Sequence, residues 1–266
     1  MLLARLTLAC AAGSHALAAQ RLGPGISLPR DFAVYPRAAL LDDFVETLDA
    51  ATGAGLARVR ATFGAPDLAL AAAASGAAAA GRAGADADEA ALRPVVTAVA
   101  RAWRHGNVRV LSGAARGART LGSAARAAAR GAPPPAGGDL TVVVAPTSVE
   151  RLQLVCANAA RDGACLLLLN PRLALPSPVA AGATMAPLLL SDFERIYEAS
   201  ADALRVAGPG DHGVALHRRW PDKRYRLFAR DGDRFDFVGN SARRPGADQL
   251  RAIYAETTRH RVYDGS

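Results

Sequence analysis

The first residues with types and spacing suited to chemistry are Ser112 and Gly113, at the end of the apolar run VRVLS. A predicted helix that carries Arg116 follows them, so the turn could cradle an anion with its backbone amides and hydroxyl. Neither a P-loop pattern nor a G-x-G-x-x-G pattern surrounds the pair. A tight strand-to-helix turn is therefore the preferred interpretation, and anion binding is the alternative.

Asn170 is the second candidate, because it directly follows the apolar run CLLLL. A strand that ends there would present Asn170 at the carboxyl edge of a parallel sheet, where ligands of α/β proteins usually lie. Its side chain either faces such a ligand or, as is more common, caps the turn. Ser112, Gly113 and Asn170 are thus the candidate cofactor- or ligand-binding residues.

A basic segment supplies candidates of another kind. Ala90 to Gly138 contains eight arginines and no acidic residue, and the rest of the chain has 24 basic and 24 acidic residues. On a helix after Gly113, four of these arginines would lie within an arc of about 100°. They are Arg116, Arg119, Arg126 and Arg130. Such a face suits an anionic membrane, nucleic acid or an acidic protein, but a solvated crossover helix is the preferred interpretation.

The segment HRRWP adds Arg218 as a candidate for binding a partner or an anion. His217 would face the opposite side of a strand from Arg218, and it has no cysteine, carboxylate or second histidine near it in the sequence. The sequence therefore predicts no catalytic residue, no metal ligand set and no cofactor. Cys156 and Cys165 fit buried positions better than a redox pair, and three cysteines indicate a reducing compartment.

The first 30 residues contain no acidic residue and combine a short basic start with an apolar run and the small-residue site Ala16-Leu17-Ala18. This pattern predicts a targeting leader, either a signal peptide or a transit peptide or both in series, with an ordinary N-terminal helix as the alternative. The apolar run is too short and interrupted to span a bilayer.

Composition favours a folded protein, since 51% of the residues are hydrophobic, 21% are charged and the mean hydropathy is +0.10. Strands alternate with helices up to about residue 170, and three alternating segments follow. They are joined by Pro221-Asp222 and by Asp231-Gly232, a strong hairpin signal. We predict one α/β domain over residues 31–260, with a Rossmann-like layered sheet and crossover helices, a C-terminal antiparallel β-meander and a terminal helix.

Two capping boxes are predicted from the S/T-x-x-E spacing. Thr147 with Glu150 would begin the helix between VVVAP and CLLLL, and Ser191 with Glu194 would begin another. Glu150 places a negative charge where a phosphate would otherwise bind, so nucleotide binding at that helix start is disfavoured.

The order of several segments resembles a plastid and cyanobacterial domain family of unknown function. That family includes the low-photosystem-II-accumulation assembly factors of the third type. It also includes a domain appended to a chloroplast adenylate kinase. The segments are VVVAP, LLLLNP, FERIY, the stretch from Gly213 to Phe235 and RRPGADQL. The residues that match the family pattern are Asn170, Pro171, Arg218, Pro221, Arg244 and Pro245. Trp220 stands where the family usually has tyrosine, and Tyr225 stands near its usual tryptophan.

The resemblance implies a plastid protein, stromal or thylakoid-associated, without known catalytic residues. It suggests a non-enzymatic protein that contacts thylakoid membrane proteins or the photosystem II assembly machinery, and the basic segment adds an anionic membrane surface as a candidate partner. The alternatives are a small-ligand or nucleotide-phosphate binding domain, enzymatic or not, that uses the sheet edge near Ser112, Pro146 and Asn170, and a secretory route if the leader is only a signal peptide. Nucleic-acid binding ranks last, because no aromatic residues for base stacking accompany the arginines.

Overall fold

The computed structural model describes residues 26–27, 34–74, 85–112, 118–121, 138–173, 190–206 and 212–264. The helices are α1 (Leu40–Gly53), α2 (Ala65–Ala74), α3 (Ala85–Ala102), α4 (Val149–Asp162) and α5 (Ala247–Asp264). The strands are β1 (Ile26–Ser27), β2 (Arg58–Phe63), β3 (Val108–Ser112), β4 (Ala118–Leu121), β5 (Leu140–Val144), β6 (Cys165–Leu169), β7 (Glu194–Val206), β8 (His212–Arg219), β9 (Tyr225–Asp231) and β10 (Arg234–Ser241). The predicted α/β fold class, with its antiparallel C-terminal strands and terminal helix, is confirmed.

The chain divides into two compact units. The α/β unit comprises Pro36–Glu198 and Arg219–Pro221, and the antiparallel unit comprises Met1–Tyr35, Ala199–Arg218 and Asp222–Ser266.

In the α/β unit the strand order is β2-β6-β5-β3-β4. The first four strands are parallel, and β4 is antiparallel to β3. Every residue of β5 and β6 is buried, as expected for parallel strands with helices on both faces. Leu166 and Leu168 pack towards α4, while Phe63, on the other face, contacts Phe44 of α1. The sheet therefore lies between two helical layers.

Helix α4 connects β5 to β6 and has well-defined ends. The Oγ of Ser148 accepts a hydrogen bond from the backbone N–H of Arg151, and Gly163 ends the helix in the left-handed conformation with φ of 65°. The predicted capping box is thus wrong by one position, because Ser148 and not Thr147 is the N-cap. Glu150 still takes part, since its carboxylate accepts a hydrogen bond from Ser148 at 2.8 Å.

The antiparallel unit has the strand order β1-β10-β9-β8-β7. Helix α5 covers one face, where Leu250 and Ile253 pack on Val214, Leu216 and Leu227. On the other face Tyr35 stacks on Phe235 with their ring centroids 4.5 Å apart. Asp231-Gly232 forms the predicted hairpin between β9 and β10, with Gly232 at φ of 58°.

Two predicted helices are corrected. The segment from Glu194 is strand β7, and in the described residues 190–193 that precede it, only Leu190 and Ser191 are helical. Ala118–Leu121 is strand β4, so Arg119 lies opposite Val110 of β3 and not on a helical stripe. Gly117 and Gly122 flank this segment and weaken a helix there, while the edge of β3 offers free backbone groups for pairing.

No helix in the described part of the chain is both long and apolar enough to cross a membrane.

Candidate functional site

An open cleft of about 260 Å³ lies at the carboxyl edge of the α/β unit, between β3, the loop after β5 and helix α4. Parallel strands present their carboxyl ends at one edge, which is why the end of β3 meets the loop after β5 there. The lining residues are Arg109, Leu111, Ser112, Val143, Pro146, Thr147, Ser148, Arg151, Leu152, Val155 and Asn158. Of the sequence candidates at this edge, Ser112 and Pro146 are therefore brought together.

The rim of the cleft is polar and basic. Arg109 projects from β3 and Arg151 from the first turn of α4, and both residues are exposed. Ser112, at the end of β3, is buried to all but 8%. Thr147 completes the rim, and its hydroxyl and the two guanidinium groups can donate several hydrogen bonds to an anion. Ser148 also lines the cleft, but its hydroxyl already donates to Glu150.

The floor is apolar. Val143 of β5 and Leu152 of α4 are buried, and Leu111 and Val155 are partly buried in the cluster between the sheet and α4. A polar rim above an apolar floor is the usual composition of a small-molecule site.

Asn170 lies at the same edge but serves the backbone. Its Oδ1 accepts a hydrogen bond from the N–H of Phe63 at 2.7 Å, and its Nδ2 donates one to the C=O of Phe63 at 2.9 Å. Its φ of 45° is a left-handed conformation that asparagine tolerates better than most residues. The amide thereby extends the pairing of β6 with β2 by one step.

The remaining sequence candidates are dispersed. Gly113, Arg116, Arg126 and Arg130 lie outside the described residues, and Arg119 lies in β4. Arg218 is on β8 of the antiparallel unit, where its guanidinium carbon lies 5.4 Å from the centroid of the Tyr225 ring, a cation–π contact.

The α/β unit also contains a polar cluster that the sequence analysis missed. Asp43 of α1 accepts hydrogen bonds from the hydroxyl of Tyr197 at 2.8 Å and from Arg219 at 2.6 Å. Arg219 also contacts Glu46 at 3.0 Å. Burial, and then the charge of Asp43, raise the pKa of the Tyr197 phenol well above its usual value. Arg219 adjoins the HRRWP segment, but nothing in the sequence indicates its pairing with a residue 176 positions earlier.

The other ionisable groups of the α/β unit have structural environments. Burial raises the thiol pKa values of Cys156 and Cys165, so both thiols stay protonated and unreactive at neutral pH. Hydrogen bonds from the backbone and from Ser148 lower the pKa of Glu150. Among the described residues, no group of three or more His, Cys, Asp and Glu side chains could hold a metal ion.

The antiparallel unit has a smaller cleft of about 170 Å³ at the start of β8, lined by His212, Arg230, Asp231 and residues of α5. The Nδ1 of His212 lies 3.1 Å from the carboxylate of Asp231, its neighbour across the β8–β9 pair. Thr257 and Thr258 also line this cleft, and their hydroxyls donate to carbonyls of their own helix. The polar groups of this cleft thus mainly stabilise the β8–β9 pair and helix α5.

Comparison with curated proteins and with solved structures finds no match to this chain. A protein-family model, described as a domain of unknown function, matches residues 37–252. This range runs from the start of the α/β unit to the first turns of α5, and it includes the cleft and the polar cluster. The chain therefore belongs to the DUF1995 family, a domain of unknown function.

Proposed function

We propose that this protein is a non-enzymatic plastid protein that supports the assembly or accumulation of photosystem II. The observation that carries this proposal is the family assignment over residues 37–252, together with the ordered segments that resemble a family whose members include photosystem II assembly factors. In this role the protein binds thylakoid membrane proteins or assembly machinery. It does so either in the stroma or attached to the thylakoid membrane.

The charge distribution supports a binding role. The net charge of +8 can be assigned entirely to the eight arginines between Ala90 and Gly138. A basic region of this kind attracts acidic protein surfaces and anionic lipids, and its attraction weakens as salt rises.

The test is a pull-down of the tagged protein from plastids at low and moderate salt, followed by mass spectrometry. We expect salt-sensitive recovery of photosystem II subunits or membrane insertion factors. A matched pair of variants locates the contact. One variant replaces Arg116, Arg119, Arg126 and Arg130 with Gln, and its control replaces the exposed Arg161, Arg224, Arg234 and Arg251 with Gln.

We expect only the first variant to lose the partners. Because both variants lose four positive charges, a difference between them would locate the contact in the basic segment. Recovery of the protein alone at low salt would refute the assembly role. Equal loss in both variants would indicate that net charge, and not the basic segment, governs binding.

A second candidate function is the binding of a small anionic ligand at the carboxyl edge. The observation that favours it is that Ser112 and Pro146 line one open cleft together with Arg109 and Arg151. A thermal-shift screen of the full chain with nucleotides and phosphorylated metabolites tests it. A rise in melting temperature that the R109Q variant abolishes supports the candidate, and the absence of any shift counts against it.

A further inference from the structure

We propose that the cleft between β3 and α4 binds a phosphate ester with an apolar substituent, with the phosphate at the basic rim and the substituent on the apolar floor. This inference rests on the small-ligand candidate above and specifies its ligand class.

The rim selects an oxyanion. Arg109 and Arg151 bring two positive charges, and none of the described residues that line the cleft is acidic. Guanidinium groups match the geometry of phosphate oxygens, and the hydroxyl of Thr147 adds a further donor. These donors outnumber what the two oxygens of one carboxylate can accept, whereas a phosphate has three outer oxygens.

The start of helix α4 places the anion near the arginines. The backbone N–H of Arg151 already donates a hydrogen bond to the Oγ of Ser148, and Glu150 brings a negative charge into the first turn. Glu150 is ionised at neutral pH, as an ordinary glutamate is, and hydrogen bonds from the backbone and Ser148 stabilise its charge and lower its pKa further. Its charge opposes a second anion at the helix end itself. The phosphate is therefore bound by side chains, in contrast to a P-loop, where backbone amides bind it.

The floor selects the substituent. Leu111, Val143, Leu152 and Val155 form its apolar surface. The volume of about 260 Å³ is near the lower end of the range for small-molecule sites, roughly 300–1,000 Å³. Inorganic phosphate alone would leave this apolar surface in contact with water, so a ligand with an apolar body gains affinity by covering it.

The experiment is a calorimetric titration of the full chain with phenyl phosphate and with inorganic phosphate at one salt concentration. We expect phenyl phosphate to bind at least about tenfold more tightly. R109Q and R151Q should each weaken its binding about tenfold, since a charge-assisted hydrogen bond is lost. The control R101Q removes an exposed arginine of α3, outside the cleft, and should leave binding unchanged.

The variant V155T tests the floor, because threonine has almost the shape of valine but adds a hydroxyl. It should reduce the preference for phenyl phosphate and leave the affinity for inorganic phosphate unchanged. Thermal melts of all variants verify that each one folds.

The outcomes distinguish failure of this inference from failure of the small-ligand candidate on which it rests. Equal affinity for the two probes would overturn the inference and leave an anion site in place. Absence of binding by both probes would overturn the inference and the small-ligand candidate together.

Flotation with vesicles distinguishes two sources of the same chemistry. If the ligand is a membrane phospholipid, phosphatidylcholine vesicles that contain phosphatidic acid should bind the wild type more than R109Q, and pure phosphatidylcholine vesicles should bind neither. If phenyl phosphate binds and these vesicles do not, the inference is supported with a soluble ester as the ligand.

Discussion

At the residue scale, the side chain of Asn170 determines how β6 meets β2. Both polar atoms of its amide are hydrogen-bonded to the backbone of Phe63, and the residue is buried. An ionised aspartate only accepts hydrogen bonds, so it cannot donate to the Phe63 carbonyl as the amide does.

We expect N170D to destabilise the protein by roughly 2–4 kcal/mol. The substitution removes the donor to the Phe63 carbonyl and buries a negative charge beside it. The control N158D changes an exposed asparagine of α4 and should cost less than about 0.5 kcal/mol. Urea denaturation measures both, and an equal cost for the two variants would contradict the assigned role of Asn170.

Tyr197 gives a prediction about pH. Its pKa is raised in the folded state, by burial first and then by Asp43, so near pH 10 the unfolded chain loses the phenolic proton while the folded chain retains it. The stability contributed by Tyr197 is therefore fully present below pH 10 and falls as pH rises further.

The variant Y197F isolates this effect, because every other titrating group is common to both proteins. It should be about 1 kcal/mol less stable than the wild type at pH 7, through loss of the hydrogen bond to Asp43. The gap should narrow as pH rises above 10. Denaturation curves across this range test the prediction, and a gap independent of pH would refute the role of the buried phenol.

At the scale of elements, sequence patterns predicted most of the α/β unit. Strand β2 alternates buried and half-buried residues over Arg58–Phe63, and β5 and β6 are apolar runs of strand length around a helix with a left-handed Gly163 cap. These signals are local, because the period of burial and the caps follow from the chain's own geometry.

The failures arise where pairing with another strand decides the structure. Ser191 and Glu194 have capping-box spacing, yet the segment from Glu194 buries Ile196 and Tyr197 in a strand. Arg119 belongs to β4 because the edge of β3 is available for pairing, a fact that no window of sequence contains. The sequence predicted only part of the cleft. Ser112 and Pro146 follow predicted strands, so their place at the sheet edge could be expected, whereas the fold alone brings Arg109 and Arg151 beside them.

Gly106 supports a prediction about the parallel pair β3–β5. A Cβ at this position would overlap the backbone carbonyl of Gly138, which also accepts a hydrogen bond from the Trp103 indole. We expect G106A to destabilise the protein by roughly 1–3 kcal/mol, since the start of β3 must move away from β5. The control G53A places a methyl group in open space at the end of α1 and should not lower stability.

Thermal melts compare the two alanine variants. A Tm of G106A equal to that of G53A would show that the close approach of Gly106 to Gly138 does not constrain the sheet.

At the scale of the whole molecule, the acid-free first 30 residues support a prediction about location. We expect residues 1–30 fused to a fluorescent reporter to direct it to plastids when expressed in an alga whose plastid has a secondary origin. Accumulation in the endomembrane system would indicate that the leader is only a signal peptide. A reporter that stays in the cytosol would contradict the leader prediction.

The way the chain passes between its two units has a consequence for its synthesis. The α/β unit ends with Arg219–Pro221, which come after twenty residues assigned to the antiparallel unit, Ala199–Arg218. The ribosome adds Tyr197 and Arg219, the hydrogen-bond partners of Asp43, 154 and 176 residues after Asp43 itself. Residues 43 to 219 must therefore all be synthesised before α1 can obtain both partners, so the α/β unit is completed only after β7 and most of β8 have been made.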